Sequence, residues 1–264
     1  MNQSTISAFA MELADARRTR GVVASEALRQ LDSFVDAYGI QEHVCTNLGA
    51  RVAGWKLTAP ISSSVISAPL FDIDCMASDT VLADTALLRD GVECELAFRI
   101  DRPLPLGNCS RDDVLSAVGA VMPAFELLCS RLPAKFASPR EHIVADGMGN
   151  GAVVLGDACI NWRALPLDKL QVKLWVNDVP VIDKQGGNPF GDPLNAVAEL
   201  ANHLAQRGQA IVVGTFVLAG SHTGVHRAQP GDRLRCVFEG VGQVALNLRA
   251  NESTTSKENN YASR

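Results

Sequence analysis

Two glutamates inside an apolar run constrain this chain most. Glu93 and Glu95 lie in the segment 91–98, where Val92, Leu96 and Phe98 predict a strand with little reason to be on the surface. Residues two apart on a strand point to the same face, so the two carboxylates share one side. There they would repel each other and lose hydration unless a positive charge lay between them.

A third glutamate, Glu126, lies in another apolar segment, 123–127. A divalent cation is the simplest partner for such carboxylates, and an all-oxygen set favours magnesium or manganese over zinc. Plainer interpretations remain open at this point. Glu93 and Glu95 would also fit a solvated edge strand, and Glu126 an ordinary capped or salt-bridged carboxylate.

Composition narrows the class of protein. The chain has 264 residues, of which 47% are hydrophobic and 20% charged, so we expect one large domain, or one domain with a small appendage. A net charge of -5 without a basic face argues against a nucleic-acid partner. No apolar run reaches the roughly 18 residues of a membrane helix, and the N-terminus lacks a signal-peptide pattern. Seven cysteines without a Cys-x-x-Cys pair are typical of a reduced, cytoplasmic protein.

The first fifty residues predict two helices. The first carries an apolar stripe at helical spacing, formed by Ile6, Phe9, Ala10 and Leu13. The second starts at Ser25 as its N-cap and stops near Gly39. Two later helices are predicted, one after Ser110 with Asp113 as a capping-box acid, and one from the N-cap Asp192 to Gly208.

Most of the other apolar segments predict strands. These segments are 54–57, 92–100, 124–129, 152–155, 171–176, 211–219 and 234–248. Residues 251–264 are polar and predict a disordered tail. The sequence thus divides into a helical N-terminal region at 1–50, a β-rich domain at 51–250 that carries the candidate metal ligands, and the tail.

Several motifs follow one another along most of the chain. They are Ala37-Tyr38-Gly39-Ile40-Gln41, Gly54-Trp55-Lys56, Val92-Glu93-Cys94-Glu95-Leu96-Ala97-Phe98, Pro123-Ala124-Phe125-Glu126, Ala145-Asp146, and Gly191-Asp192-Pro193 through Ala201-Asn202-His203-Leu204. In this order they resemble the 2-keto-4-pentenoate hydratase family of the fumarylacetoacetate hydrolase superfamily, which also contains 4-oxalocrotonate decarboxylases. The resemblance implies an α+β fold, with a mixed β-sandwich or roll of the fumarylacetoacetate hydrolase C-terminal type after a helical N-terminal region. It also implies a homo-oligomer.

The resemblance assigns roles to particular residues. Glu93, Glu95 and Glu126 would be the carboxylate ligands of Mg²⁺ or Mn²⁺. Lys56 would lie beside the substrate as a catalytic and binding residue, and we expect burial to lower its pKa.

Four further residues are candidates for the site. Asp72 or Asp74 would supply a catalytic acid, although a turn role after Pro69 is the alternative for both. Asn150 and Ser221 are predicted to contact the substrate.

The segment between Lys56 and Glu93 is shorter than in well-known hydratases, and Gly147-Met148-Gly149 stands where the family often has Asn-x-Ser. Both departures bear on the choice of substrate. His222 and His226 have a spacing that suggests zinc, but Gly224 between them argues against an aligning helix.

Three functions remain open at the level of sequence. The first is a metal-dependent hydratase that converts 2-hydroxypenta-2,4-dienoate to 4-hydroxy-2-oxopentanoate in the catabolism of aromatic compounds. The second is a decarboxylase of the 4-oxalocrotonate type, which would use the same Lewis acid. The third is a non-catalytic subunit that associates with a paralogous enzyme, although intact metal ligands count against it.

Overall fold

A computed structural model describes residues 1–23, 26–61 and 64–250. Within these residues the helices are α1 (Gln3–Thr19), α2 (Phe34–Leu48), α3 (Arg111–Ala117), α4 (Arg140–Ala145) and α5 (Pro193–Gln206). The strands are β1 (Val52–Ile61), β2 (Ser64–Phe71), β3 (Cys75–Ala77), β4 (Thr80–Leu82), β5 (Gly91–Ile100), β6 (Val118–Leu128), β7 (Asn150–Leu155), β8 (Gln171–Val176), β9 (Val179–Gln185), β10 (Phe216–Leu218), β11 (Arg233–Phe238) and β12 (Gly242–Leu248).

The strands form two mixed sheets. A seven-stranded sheet has the order β2-β1-β10-β5-β6-β7-β3, and a five-stranded sheet has the order β4-β12-β11-β8-β9. The β1–β10, β3–β7 and β4–β12 pairs are parallel, while the other pairs are antiparallel. The long antiparallel pair of β5 and β6 lies at the centre of the larger sheet, where it is protected on both edges.

The main core lies between the two sheets. Alternate side chains of β5, namely Cys94, Leu96 and Phe98, belong to this core together with Leu174 of β8 and Phe238 of β11. Because side chains alternate along a strand, Glu93 and Glu95 must point to the opposite face of the larger sheet. The sandwich therefore turns the carboxylates away from its own core.

The N-terminal helices form a second core against that opposite side of the molecule. Phe9 and Leu13 of α1 and Ile40 of α2 pack with Ala68 and Phe71 of β2. Helices α1 and α2 thus cover the β2 end of the large sheet. Among the described residues, no helix has the length and apolar character that a membrane crossing requires.

The helix predictions are partly wrong. Helix α2 begins at Phe34 with Ser33 as its N-cap, and it runs through Gly39 to end at Leu48, with Gly49 as its C-cap. Ser25, the predicted N-cap, lies outside the described residues. The capping box at Ser110 and the helix from Asp192 are confirmed. The second helix was misplaced because a serine before apolar residues occurs twice, and because packing tolerates a helical glycine that costs about 1 kcal/mol.

The predicted strands all contain strand residues, with two changes of extent. The segment 211–219 is a strand at Phe216–Leu218 alone, and 234–248 is a hairpin of β11 and β12 that turns at Gly240 and Gly242, both with positive φ. Strands β2, β3, β4 and β9 were not predicted. The tail at 251–264 lies outside the described residues.

Candidate metal centre and active site

The register of β5 and β6 brings the three glutamates together. Glu93 lies directly opposite Glu126 across this antiparallel pair, and Glu95 is two residues further along the same face. One carboxylate oxygen from each residue lies within 4.8 Å of the others. Directly opposed residues have Cβ atoms roughly 5 Å apart, so the contact follows from the pairing itself.

This cluster is removed from water. Glu126 is fully buried, Glu95 is 3% exposed, and Glu93 is half-buried. Burial, together with repulsion from Glu126 and Glu93, raises the pKa of Glu95 well above its usual value. Burial and the charge of Glu126 likewise raise the pKa of Glu93. Both carboxylates would therefore be stabilised in their ionised form by a nearby positive charge.

One positive charge comes from Lys56 on β1. Its Nζ donates to Oε1 of Glu126 at 2.5 Å and to the carbonyl oxygen of Met148 at 3.4 Å. Burial acts to lower the pKa of Lys56, but Glu126 above all, with Glu93 and Glu95, outweighs it, so the pKa is raised. The expected lowering is wrong for this structure because three carboxylates surround one ammonium group.

The charges of the cluster do not balance. Three carboxylates and one ammonium group leave a formal charge of −2. Oε2 of Glu126 is also buried without a hydrogen-bond partner among the described residues. A divalent cation would neutralise the cluster and supply that oxygen with a ligand bond, and hard oxygen donors suit Mg²⁺ or Mn²⁺. The donor set therefore fits the cation that the sequence predicts.

Neutral groups complete the ring of contacts. The backbone N–H of Gly220 donates to Oε2 of Glu95 at 2.9 Å. Nδ2 of Asn150 donates to Oε1 of Glu126 at 3.0 Å, and a hydrogen bond with Ser221 opposes the rise in the pKa of Glu93. The structure thus brings Lys56, Asn150 and Ser221, the three predicted substrate-binding residues, to the carboxylate cluster. Their contact with a substrate stays a prediction.

The two candidate aspartates lie in different surroundings. Both belong to a 3₁₀ turn, Asp72–Asp74, directly after β2. Asp72 forms an exposed ion pair with Arg51 at 2.9 Å. Asp74 accepts from Nε of Arg17 at 2.9 Å, and Arg17 in turn contacts Asn150. Of the two, Asp74 is therefore the one joined to the cluster through a chain of contacts.

Sequence reasoning missed two buried arginines. Arg17 of α1 is 6% exposed, and Arg131 is 3% exposed and paired with Asp146 at 2.6 Å. A signal existed for Arg17, because it occupies the next position of the apolar stripe that Ile6 and Leu13 define. For Arg131 the sequence alone gives no comparable sign.

His222 does not take part in the cluster. It is fully buried in the main core, where its ring lies 5.1 Å from that of Phe238, edge to face. Burial lowers the pKa of its imidazole to about 4. Within the described part of the chain, the glutamate trio is the one group of three potential metal ligands.

Comparison with known proteins places this arrangement in a family. Residues 76–249 match the family described as fumarylacetoacetate (FAA) hydrolase C-terminal. The chain belongs to the fumarylacetoacetate hydrolase superfamily. The superfamily match contains all three glutamates, whereas Arg17, Lys56 and Asp74 precede it.

Similar chains include hydratases and decarboxylases. A 2-keto-4-pentenoate hydratase of Paraburkholderia xenovorans (strain LB400) is 31% identical over 82% of this chain and 84% of the relative. A 4-oxalocrotonate decarboxylase of Pseudomonas putida is 29% identical over 81% of this chain and 84% of the relative. The resemblance to the hydratase and decarboxylase family is thereby confirmed.

Solved structures confirm the fold class. The 4-oxalocrotonate decarboxylase from Pseudomonas putida G7, complexed with magnesium and adipate, has a TM-score of 0.84 at 24% identity, covering 94% of this chain and 98% of that chain. The fumarylpyruvate hydrolase from Pseudomonas aeruginosa, in complex with Mn²⁺ and pyruvate, has a TM-score of 0.54 at 11% identity over 75% and 89%. The α+β superfamily fold extends to the N-terminal helices in the first of these.

Proposed function

We propose that this protein is a divalent-metal-dependent hydratase of 2-hydroxy-2,4-dienoates, of the type that forms 4-hydroxy-2-oxopentanoate from 2-hydroxypenta-2,4-dienoate. The observation that carries the proposal is the buried cluster of Glu93, Glu95, Glu126 and Lys56, with its formal charge of −2. Relatives named as hydratases support the type of reaction. We place the enzyme in the cytoplasm, as a homo-oligomer, within aromatic catabolism.

The three glutamates would hold Mg²⁺ or Mn²⁺. When bound, the cation supplies Lewis acidity to the 2-oxo and carboxylate oxygens of a substrate. Structures of related proteins contain magnesium, calcium and Mn²⁺, which supports a divalent ion without selecting one. The buried cluster excludes water from the carboxylates, so their charge acts on the cation with little screening.

The protein's own groups would handle the substrate's charge and protons. The ammonium group of Lys56 faces Glu126 and is held protonated by it, so it would attract a substrate carboxylate and donate a hydrogen bond to it from Nζ. Ser221 lies beside the half-buried Glu93, at the more open side of the cluster, where its hydroxyl would hydrogen-bond to a substrate oxygen. Hydration further needs one water added at the conjugate carbon and one proton delivered to the neighbouring carbon.

A decarboxylase of the 4-oxalocrotonate type is the second candidate. Relatives with this name are 29% and 28% identical, nearly as similar as the hydratases. Loss of carbon dioxide from a 2-oxo acid uses the same stabilisation of charge on the 2-oxo oxygen. A non-catalytic subunit that associates with a paralogous enzyme is the third candidate, and the complete set of carboxylates counts against it.

Two parallel assays would distinguish these functions. Purified protein with Mg²⁺ or Mn²⁺ is incubated with 2-hydroxypenta-2,4-dienoate, or with 4-oxalocrotonate, while ultraviolet absorbance and carbon dioxide release are followed. Hydration of the first substrate is the expected result. Carbon dioxide from the second substrate, with no hydration of the first, would replace the hydratase by the decarboxylase.

A variant links the activity to the cluster. Glu93→Gln should abolish turnover while the protein stays folded, because it removes one anionic ligand and keeps the side-chain size. Glu199→Gln, at an exposed position of α5, is the matched control and should keep full activity. A fully active Glu93→Gln variant would remove this residue from the site.

A further inference from the structure

Arg17 of the N-terminal helix reaches the back of the carboxylate cluster. Its Nε donates to Asp74, its Nη1 to the main-chain oxygen of Asn150 at 2.9 Å, and its Nη2 to Oδ1 of Asn150 at 3.0 Å. The guanidinium group also lies over the ring of Phe71, 5.1 Å from its centroid. All three nitrogens are therefore engaged, and the side chain is held on both its edge and its face.

These contacts fix which way the amide of Asn150 points. A guanidinium group only donates hydrogen bonds, so the end of the amide that meets Arg17 must be the oxygen. The NH₂ end then faces Oε1 of Glu126, a carboxylate oxygen that only accepts. Arg17 thus holds the oxygen end of the amide in the orientation that Glu126 also favours, because the flipped amide would set two oxygens against each other at Glu126 and two donors against each other at Arg17.

Arg131 secures the same residue from another side. Its Nη1 donates to the main-chain oxygen of Asn150 at 2.6 Å, the oxygen that Arg17 also contacts. Asp146 neutralises Arg131, and Asp74 neutralises Arg17. The two arginines thus add no net charge to the cluster, and their effect on it is one of orientation.

The fixed amide determines how Glu126 presents its oxygens. Oε1 accepts from both Lys56 and Asn150, at 2.5 and 3.0 Å. Oε2 is left buried and without a hydrogen-bond partner among the described residues. The carboxylate is therefore anchored through one oxygen while the other stays available to a cation.

We propose that Arg17 is a positioning residue for the metal centre, which acts through Asn150 to orient Glu126 for a divalent cation. This inference rests on the proposed metal-dependent function. Arg17 lies outside the segment 76–249 that matches the superfamily, so the N-terminal helical region supplies part of the centre that the matched segment lacks. The helix has a role in cation affinity beyond covering the sheet.

Titration of metal-free protein with Mn²⁺ tests this inference without any substrate. Free Mn²⁺ is followed by electron paramagnetic resonance in full-length wild type and variants. Arg17→Met should weaken Mn²⁺ binding by roughly 10- to 100-fold, the usual effect of losing a group that orients a ligand. Arg18→Met is the matched control: Arg18 is the next residue, is exposed and pairs with Asp15, so the affinity should not change.

A double-variant cycle separates positioning from a general loss of structure. Asn150→Ala should weaken binding about as much as Arg17→Met, and the double variant should lose little more, because both act through one hydrogen bond to Glu126. Should Arg17→Met fail to fold, Arg17→Lys keeps the charge but cannot make all three contacts, and it should show an intermediate loss.

The outcomes distinguish a failure of the positioning role of Arg17 from a failure of the proposed metal binding. Wild-type affinity in a folded Arg17→Met or Arg17→Lys variant would overturn the inference alone, as would losses that multiply in the double variant. A wild-type protein that binds no Mn²⁺ would overturn the proposed function, and this inference with it.

Discussion

Replacing Glu95 by glutamine should stabilise the metal-free protein and remove its response to metal. The substitution keeps the size of the side chain and an oxygen that can accept from the N–H of Gly220. It removes one negative charge from the buried cluster of three glutamates and Lys56, whose formal charge is −2. Most substitutions of buried residues destabilise a protein, so the predicted sign is distinctive.

The size of the effect follows from the charges within the cluster. At a separation of 4.8 Å and an effective dielectric constant of about 20, two unit charges interact by about 3.5 kcal/mol. Glu95 is repelled by Glu93 and Glu126 and attracted by Lys56, which leaves about one such repulsion uncompensated. The raised pKa of Glu95 lets the folded protein relieve part of it by binding a proton. We therefore expect a gain of about 1–3 kcal/mol, or a rise in Tm of roughly 3–8 °C.

Metal should make the wild type more stable than Glu95→Gln, the reverse of their order in EDTA. At a concentration of 1,000 times Kd, a cation adds about 4.1 kcal/mol to the wild type, whereas Glu95→Gln should gain much less. The assay is thermal unfolding by circular dichroism, first with EDTA and then with excess Mg²⁺. Glu199→Gln serves as the control and should melt like the wild type in both conditions. If Glu95→Gln melts below the wild type in EDTA, the picture of an overcharged buried cluster is wrong.

Three further predictions concern the same region. Burial and neighbouring carboxylates raise the pKa of Glu95 in the folded state, so unfolding releases protons. The metal-free protein should therefore lose stability as the pH rises from the ordinary carboxyl pKa of 4.5 through the raised pKa of Glu95. Urea midpoints measured in EDTA across this pH range would show the loss, and a flat profile would contradict it. Lys56→Met should lower the stability of the metal-free protein by about 3–5 kcal/mol, since it leaves Glu126 buried without its cation, and a urea midpoint equal to that of the wild type would refute this. Gly151→Ala should cost about 1–3 kcal/mol, because its Cβ would lie 2.3 Å from the main-chain oxygen of Leu87, and calorimetry would reveal the loss.

The sequence predicted which face of the strand carries Glu93 and Glu95, but it did not predict how this strand pairs with the one that carries Glu126. Alternation along 92–100 correctly placed Glu93 and Glu95 together, because the period of a strand is a local property. The pairing of Glu93 with Glu126 is a matter of register between segments some thirty residues apart, and the spacing of residues does not determine it. The family resemblance supplied that link.

Other misses have similar physical causes. Strand β9 contains Pro180 and exposed valines, a pattern that argues against a central strand, and it lies at the edge of its sheet where proline is tolerated. Arg17 was overlooked because an arginine at the end of a helix is expected to face solvent. Its burial depends on Asp74 and Asn150, partners that a helical pattern cannot reveal.

The contact between Arg17 and Asn150 also bears on how the chain is made. The two residues are separated by 133 positions. At a synthesis rate of about 5–20 residues per second, α1 leaves the ribosome roughly 7–27 seconds before its partner is made. During that interval the apolar stripe of Ile6, Phe9 and Leu13 can pack against α2 and β2, which are made before β7, but Arg17 has no contact with Asn150. The first helix to be synthesised can therefore cover its apolar stripe early, whereas its arginine reaches Asn150 only after β7 has emerged.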